Sequence, residues 1–121
     1  MICPCGSTKE YSQCCEPYHR GTPAPTAEAL MRSRYSAFVL ENEEYLLSTW
    51  DPRTRPPRVE FQPDIEWTGL EILKTVKGGL ADTMGMVHFK AHFKTADGRG
   101  AQEERSKFLR PESGAPWIFV D

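Results

Sequence analysis

The sequence predicts an α+β fold in which helices come first and a curved antiparallel sheet follows. Its 121 residues, of which 39% are hydrophobic, provide one ordinary core and leave no room for a second. Helix-like segments lie between residues 26 and 50, and short alternating segments separated by glycine turns begin at Ile65. This order is typical of a sheet that curls around two or more helices.

The helical half is the stretch "TAEALMRSRYSAFVLENEEYLLSTW", which starts at Thr26. Thr26 and Asn42 are suitable N-cap residues, because their side-chain oxygen atoms accept hydrogen bonds from free backbone N–H groups. Acidic residues just after both positions favour the same two starts through the helix dipole. Pro52, Pro56 and Pro57 end the helical half. The earlier stretch "EPYHRGTPAPT" is predicted to be a connector without helix, because it is rich in proline and glycine.

The second half is predicted to form four strands, "DIEWTGLEILKTV", "TMGMVHFKAHFKT", "AQEERSKFLR" and "WIFVD", with "ADGRG" as the turn between the second and third. Alternation in the second strand places one set of side chains on the core face: Val87, Phe89, Ala91 and Phe93. Short loops join antiparallel neighbours, so we expect a meander. The expected core draws on both halves: Leu30, Phe38, Leu46, Trp50, Trp67, Phe89, Phe93 and Phe108.

The charge and hydropathy of the sequence argue against two classes of function, general nucleic-acid binding and membrane insertion. A net charge of −2 and a pI near 5.9 argue against a general nucleic-acid binder. Residues 86–110 nevertheless carry six Lys/Arg against three Asp/Glu, so nucleic acid is expected only at a local basic face of the sheet. No apolar run approaches the roughly 20 residues of a membrane span, and the start does not resemble a secretory signal. We therefore expect a cytoplasmic protein without a membrane partner.

All four cysteines lie within thirteen positions in "CPCGSTKEYSQCC", residues 3–15. Four soft thiolates in a short loop suit tetrahedral Zn²⁺, and Fe²⁺ is the alternative metal because thiolates also bind iron. Gly6 can adopt the positive φ that lets the backbone wrap closely around an ion, and Ser7 can donate to a sulfur atom. The pattern therefore predicts a closed structural metal site.

Three other interpretations of the cluster stay open at this point. Two disulfides are disfavoured, because the compartment is expected to be reducing and adjacent cysteines pair with difficulty. A catalytic thiol is disfavoured, because nothing distinguishes one cysteine from the other three. His19 follows Cys14 by five residues, a finger-like separation, and is a candidate to replace Cys15 as a ligand.

The cysteine segment closely resembles the SEC-C motif, a small metal-binding module also found in the bacterial translocase ATPase. The stretches "ALMRSRYSAFVLENEEYLLSTWDPRTRP", "WTGLEIL" and "EERSKFLR" are similar to the YchJ-like family. The resemblance implies a SEC-C-like zinc module over residues 1–20 and a nuclear transport factor 2-like domain over residues 26–121. It places the metal ligands on Cys3, Cys5, Cys14 and Cys15. The usual motif has a glycine where this chain has Thr8, which leaves the ligands intact but departs from the expected turn.

A concave pocket is expected between the sheet and the helices. Helical spacing aligns Arg34 with Leu30 and Phe38, and strand alternation points Glu104 to the same side as Phe108. A charge facing the core is uncommon, so we predict that Arg34 and Glu104 form a buried ion pair. The candidate pocket residues are Arg34, Tyr35, Trp67, Glu104 and Ser106.

The opposite face of the second strand carries His88, Lys90, His92 and Lys94, and is expected to be the solvated side of the sheet. A metal site shared by the two histidines is disfavoured, because residues four apart in a strand stand roughly 13 Å apart.

The leading functional interpretation is a zinc-binding accessory or interaction protein. A protein or ribosome partner is suggested by the resemblance to the translocase module. The alternative is a small-molecule binder or an enzyme that uses the pocket, and the sequence leaves open whether the chain is an enzyme. We also predict that residues 26–121 fold without the metal.

Overall fold

A computed structural model describes residues 1–121 and confirms the α+β class, with three helices followed by a curved four-stranded antiparallel sheet. A 3₁₀ turn at Tyr11–Gln13 precedes all of them. The helices are α1 (Glu16–His19), α2 (Ala27–Val39) and α3 (Glu43–Ser48). The strands are β1 (Glu66–Lys77), β2 (Met84–Thr95), β3 (Gly98–Leu109) and β4 (Ile118–Phe119).

Both predicted helix caps are confirmed. Thr26 accepts a hydrogen bond from the backbone N–H of Ala29 at 3.1 Å, and Asn42 accepts one from Tyr45 at 3.1 Å. The connector was predicted to lack helix, and that prediction is wrong at its start, where α1 forms. Pro17 lies in the first turn of α1, where a missing N–H breaks no intrahelical bond.

The sheet is a meander in which each strand pairs with the next one in the chain. Irregularities in the β1–β2 register between Trp67 and Gly69 and between Ile72 and Lys74 mark bulges, which increase local twist and bend a strand. The turn between β2 and β3 is shorter than predicted, because Thr95 already pairs with Gly98. Gly98 has a φ of +129°, which favours glycine, and this allows the tight turn.

The core lies between α2 and the concave face of the sheet. The predicted alternation of β2 is confirmed, since Val87, Phe89 and Ala91 are buried. Half of the expected core is also buried: Leu30, Leu46, Phe89 and Phe108. The other half, Phe38, Trp50, Trp67 and Phe93, is half-buried. Trp117 is a buried residue that the sequence analysis missed, and its indole N–H donates to the Pro25 carbonyl at 3.3 Å.

Helix α2 is covered on almost all sides, because between residues 30 and 37 only Arg32 is not buried. The sheet packs on one side of α2, α3 on another, and the N-terminal module on a third. The N-terminal module is used here for residues 1–20. A helix enclosed in this way needs partners for its buried polar side chains, and α2 carries three of them besides apolar residues: Ser33, Arg34 and Ser36.

None of the helices is both long enough and apolar enough to cross a membrane.

Candidate metal centre and cavity

The N-terminal module brings its four cysteines to one point beside α2. Cys3 and Cys5 lie on the first loop, and Cys15 is the residue that precedes α1. The chain returns through Gly6, whose φ is +85°, and a Cβ atom there would lie 3.0 Å from the Leu70 carbonyl oxygen. Glycine at this position therefore lets the loop lie close to β1. All four sulfur atoms lie within 4.8 Å of one another.

This donor set fits a tetrahedral metal ion. Sulfur atoms about 2.3 Å from a central zinc ion would be roughly 3.8 Å apart. The Sγ atoms of Cys5 and Cys14 are 3.5 Å apart, and those of Cys14 and Cys15 are 3.9 Å apart. No cysteine is bonded to another, so the disulfide interpretation finds no support in the structure. Three of the four are buried, and Cys14 is half-buried.

The close thiols have divergent proton affinities. Interaction with the Cys15 side chain lowers the pKa of the Cys5 thiol to about 4, against the opposing effect of burial. The same contact raises the pKa of Cys15, and burial raises the pKa of Cys14. The cluster therefore accommodates one thiolate easily and resists further negative charge. A bound cation would allow the remaining thiols to ionise.

Two serine hydroxyls lie against the sulfur atoms. The Ser36 hydroxyl donates to Cys15 Sγ at 3.3 Å and lies 3.4 Å from Cys3 Sγ. Ser7 lies 3.0 Å from Cys14 Sγ, as its predicted role requires. Sequence reasoning missed Ser36. The available signal was a serine inside a helix, one turn from Arg32 and three residues from Ser33, on a polar strip of α2 that faces no predicted partner.

Arg32 attaches α2 to the loop of the N-terminal module. Its Nη1 donates to the Cys5 carbonyl at 2.7 Å, and its Nε donates to the Glu28 carboxylate at 3.0 Å. The guanidinium therefore brings positive charge beside a candidate ligand residue, where a zinc ion with four thiolates would carry a net charge of −2. This contact was also missed, because nothing in the spacing relates residues 27 positions apart.

His19 lies outside the sulfur cluster, so the structure gives no support to the alternative in which it replaces Cys15 as a ligand. Its Nε2 lies 2.7 Å from the Ser33 carbonyl, to which it must donate, and its Nδ1 lies 2.6 Å from the Tyr11 hydroxyl. Both ring nitrogen atoms are therefore engaged away from the sulfur cluster. The ring also packs against Tyr45, with 4.6 Å between centroids. His19 thus joins the N-terminal module to α2 and α3.

A cavity of about 280 Å³ lies between α2 and the concave face of the sheet. The structure brings all of the predicted pocket residues to its wall: Arg34, Tyr35, Trp67, Glu104 and Ser106. Eight of the twelve lining residues are hydrophobic, so the cavity is mainly apolar. The contacts of Arg34 in this wall bear on whether the cavity binds a ligand.

Arg34 faces inward as predicted and is only 4% exposed, but the predicted pair with Glu104 is wrong. Arg34 Nη1 donates instead to the Leu46 carbonyl at 2.8 Å and to the Thr49 hydroxyl at 2.7 Å. Glu104 is exposed at the cavity rim, where its carboxylate accepts from Gln102 at 2.9 Å. The alternation was right about the direction of Glu104, but the helices do not cover this part of β3.

Two aromatic rings enclose the Arg34 guanidinium, and sequence reasoning did not connect them with it. The Cζ atom lies 5.1 Å from the Trp50 ring centroid and 4.4 Å from that of Phe119. Such contacts stabilise a cation through the ring quadrupole. Trp50 Nε1 is buried and has no hydrogen-bond partner.

The outer face of the sheet interleaves both signs of charge. His88 lies 2.6 Å from the Glu103 carboxylate, whose pKa this contact lowers, and His92 lies 3.2 Å from Glu71. The two histidines therefore contact different carboxylates rather than one shared site. This pairing agrees with the expectation of a solvated face and reduces the local excess of positive charge.

An α+β domain with a cavity under its sheet, joined to a cysteine cluster of metal-binding type, defines the class of this protein. The family model described as "YchJ, middle NTF2-like domain" matches residues 26–121, and the SEC-C motif matches residues 2–17. The chain belongs to the YchJ-like family with an N-terminal SEC-C motif, as the sequence predicted. The motif and the cysteine cluster together indicate metal binding.

Similar proteins support the same assignment along the whole chain. UPF0225 protein SCO1677 of Streptomyces coelicolor is 49% identical over 120 residues, which are 98% of this chain and 92% of that protein. UPF0225 protein CE1570 of Corynebacterium efficiens is 48% identical over 121 residues, which are 98% of this chain and 90% of that protein.

Two solved structures share the architecture. The crystal structure of a SEC-C motif-containing protein from Psychrobacter arcticus superposes with a TM-score of 0.83 at 35% identity, over 100% of this chain and 81% of that one. The solution structure of RPA3114, a SEC-C motif-containing protein from Rhodopseudomonas palustris, gives a TM-score of 0.81 at 32% identity. That match covers 100% of this chain and 96% of the other.

Proposed function

We propose that Cys3, Cys5, Cys14 and Cys15 bind one Zn²⁺ ion in a closed site. The observation that carries this proposal is that the four sulfur atoms lie within 4.8 Å of one another on largely buried residues. Four thiolates suit zinc, and Fe²⁺ is the competing metal because thiolates also bind iron.

The role of such an ion is structural, because four protein sulfur atoms leave no position for water or substrate. Side chains around the sulfur atoms then attach the metal site to the domain of residues 26–121. Ser7 and Ser36 contact sulfur atoms, and Arg32 fixes the Cys5 carbonyl. We therefore infer that the metal orders the N-terminal module on the side of α2.

The whole chain is then best described as a zinc-binding accessory protein that interacts with a partner. Met1 and Ile2, which are 65% and 57% exposed, present apolar side chains next to the buried Cys3. A metal-ordered loop with exposed apolar residues supports a contact with a protein, and the SEC-C motif makes the ribosome the partner to test. Free thiols are typical of a reducing compartment, which supports a cytoplasmic location.

Sedimentation with purified ribosomes tests this function. The zinc-loaded protein is expected to sediment with them, and the Ile2→Asp variant is expected to lose most of that binding. Leu80→Asp is the matched control, because Leu80 is 70% exposed but belongs to the turn before β2. Equal binding by both variants, or none by the unmodified protein, would reject a ribosome contact at the N-terminal module.

A second candidate function is small-molecule binding in the cavity under the sheet. The buried and incompletely bonded Arg34 specifically favours it, since such a charge is normally compensated by a partner.

A further inference from the structure

The chain has two buried arginines, and they differ in how their donors are used. Arg110 is 6% exposed and packs on Trp117. It donates to four backbone carbonyls: Gly79, Leu80, Asp82 and Ala115. Arg34 is equally buried but donates only through Nη1. Its Nε and Nη2 atoms have no protein acceptor, so Arg110 is satisfied by the fold and Arg34 is not.

No carboxylate compensates the charge of Arg34. The six salt bridges of the protein do not include it, and Glu104 turns to Gln102 at the rim. Burial lowers the pKa of Arg34 to about 9, which still leaves the guanidinium protonated at neutral pH. An uncompensated buried cation is costly, and buried charges are usually paired with an opposite charge. An anion is therefore what this position lacks.

The cavity next to Arg34 has the composition of a site for a small organic ligand. Its volume of about 280 Å³ lies close to the lower end of the range for such sites, which starts near 300 Å³. The walls are largely aromatic: Tyr35, Phe38, Trp50, Trp67, Phe89 and Phe119. The polar groups of the wall come from Arg34, Gln102, Glu104 and Ser106. A few polar groups in an apolar wall are typical of sites that fix the orientation of a ligand.

We propose that this cavity binds a compact aromatic monocarboxylate, whose carboxylate accepts hydrogen bonds from the free nitrogen atoms of Arg34. The apolar body of the ligand lies among the aromatic rings. The Glu104 carboxylate at the rim repels anions in proportion to their charge, so it disfavours a divalent anion such as hydrogen phosphate more than a monocarboxylate. This inference rests on the second candidate function and is independent of the zinc site.

Calorimetric titration of the full, zinc-loaded chain tests the proposal. The probes are benzoate, phenylacetate and 3-phenylpropanoate, each compared with its neutral amide. At least one acid is expected to bind one site per chain, roughly tenfold or more tightly than its amide, since one charge-assisted contact can supply a factor of this order. The preference should persist at about 0.5 M salt, because buried pairs are screened weakly.

Variants locate the binding site. Arg34→Met is expected to bind the acid and the amide equally, and Trp50→Phe to bind the acid several-fold more weakly than the unmodified protein. Arg105→Gln, which removes an exposed arginine from the same strand as Glu104, should bind as the unmodified chain does. If Arg34→Met does not fold, the comparison of acid with amide and Trp50→Phe still decide the question.

Three results would overturn the proposal. Failure of every acid to bind would reject the proposed ligand class and would leave the second candidate function to other small molecules. Equal affinity for acid and amide would keep the cavity as a binding site but reject the role of Arg34. Preferential binding of inorganic phosphate would reject a monocarboxylate as the ligand.

Discussion

Ser36 is the residue at which the domain contacts the cysteine cluster. It is fully buried on α2, and its hydroxyl donates to Cys15 Sγ. A hydroxyl that donates to sulfur stabilises a thiolate and therefore the metal-bound form. Ser36 belongs to the domain of residues 26–121, yet its hydroxyl contacts the N-terminal module. One substitution can therefore test whether the domain and the module are energetically coupled.

Replacement of Ser36 by alanine is expected to weaken metal binding about 10- to 100-fold, because the sulfur atoms lose a donor. Competition with a chelator of known affinity measures the change. Ser48→Ala is the control, since Ser48 is exposed and donates only to the Tyr45 carbonyl. Equal metal affinity of the two variants would show that the Ser36 contact does not support the site.

Thr8 provides a second test at the scale of one residue. Its φ is +68°, a left-handed conformation that is strained for a β-branched residue. Thr8→Gly is expected to raise the free energy of unfolding of the zinc-loaded protein by about 0.5 kcal/mol. This is the difference between the backbone strain that glycine relieves and the extra flexibility that it gives the unfolded chain. Denaturant titration measures it. A Thr8→Gly variant no more stable than Thr8→Ala would contradict the strain at this position.

Sequence reasoning predicted the direction of Arg34 but not its contacts. Helical spacing alone placed it among Leu30 and Phe38, and this was correct. Its acceptors come from the end of α3, and its stacking partner Phe119 comes from the last strand. Such contacts depend on how elements meet in three dimensions, which no local pattern encodes. The predicted ion pair with Glu104 failed because strand alternation gives the direction of a side chain but not how deeply it is buried.

At the scale of elements, His19 joins α1 to α2 and α3. His19→Ala is expected to keep about one metal equivalent, because both ring nitrogen atoms are engaged away from the sulfur cluster. It is expected to lower the free energy of unfolding by about 1 to 3 kcal/mol. Metal analysis and denaturant titration measure the two effects. His92→Ala, which changes an exposed histidine, should alter neither quantity. If the His19→Ala variant folded but had lost its metal, His19 would be indicated as a ligand.

The same histidine predicts a pH dependence. Burial lowers the pKa of His19 below its ordinary value of 6.5 in the folded protein. Just below pH 6.5, the unfolded chain therefore binds more protons at His19 than the folded chain does. The contribution of His19 to the free energy of unfolding is complete above that pH and is lost as the pH falls through the folded pKa. Unfolding of the zinc-saturated protein should show this decline, and His19→Gln should show less of it. Identical pH profiles would exclude His19 as the cause.

Removal of the metal tests how far the N-terminal module depends on it. Residues 26–121 are predicted to keep their fold, so amide exchange should increase mainly in residues 1–20 and little in β2 and β3. The buried cysteines share one core with α2, and so the neighbouring residues of α2 should exchange faster as well. Loss of protection throughout β2 and β3 on chelation would show that the whole fold requires the metal.

At the scale of the whole molecule, the order of elements and the meander were predictable because caps, alternation and glycine turns are local signals. Helix α1 and the contacts of the N-terminal module were not, because proline in a first helical turn resembles a loop in sequence. The packing of the module on α2 arises from residues far apart, such as Arg32 and Cys5. The four metal-ligating candidates could be chosen early, since all the thiols of the chain lie in one short segment.

The most direct test of a structural zinc site is X-ray absorption at the zinc edge, with metal analysis of protein purified under reducing conditions. The expected result is about one zinc per chain, surrounded by four sulfur atoms at about 2.3 Å with no nitrogen or oxygen neighbour. A first shell that contains nitrogen or oxygen would contradict the closed four-cysteine site. Protein isolated with disulfides and without metal would contradict it completely.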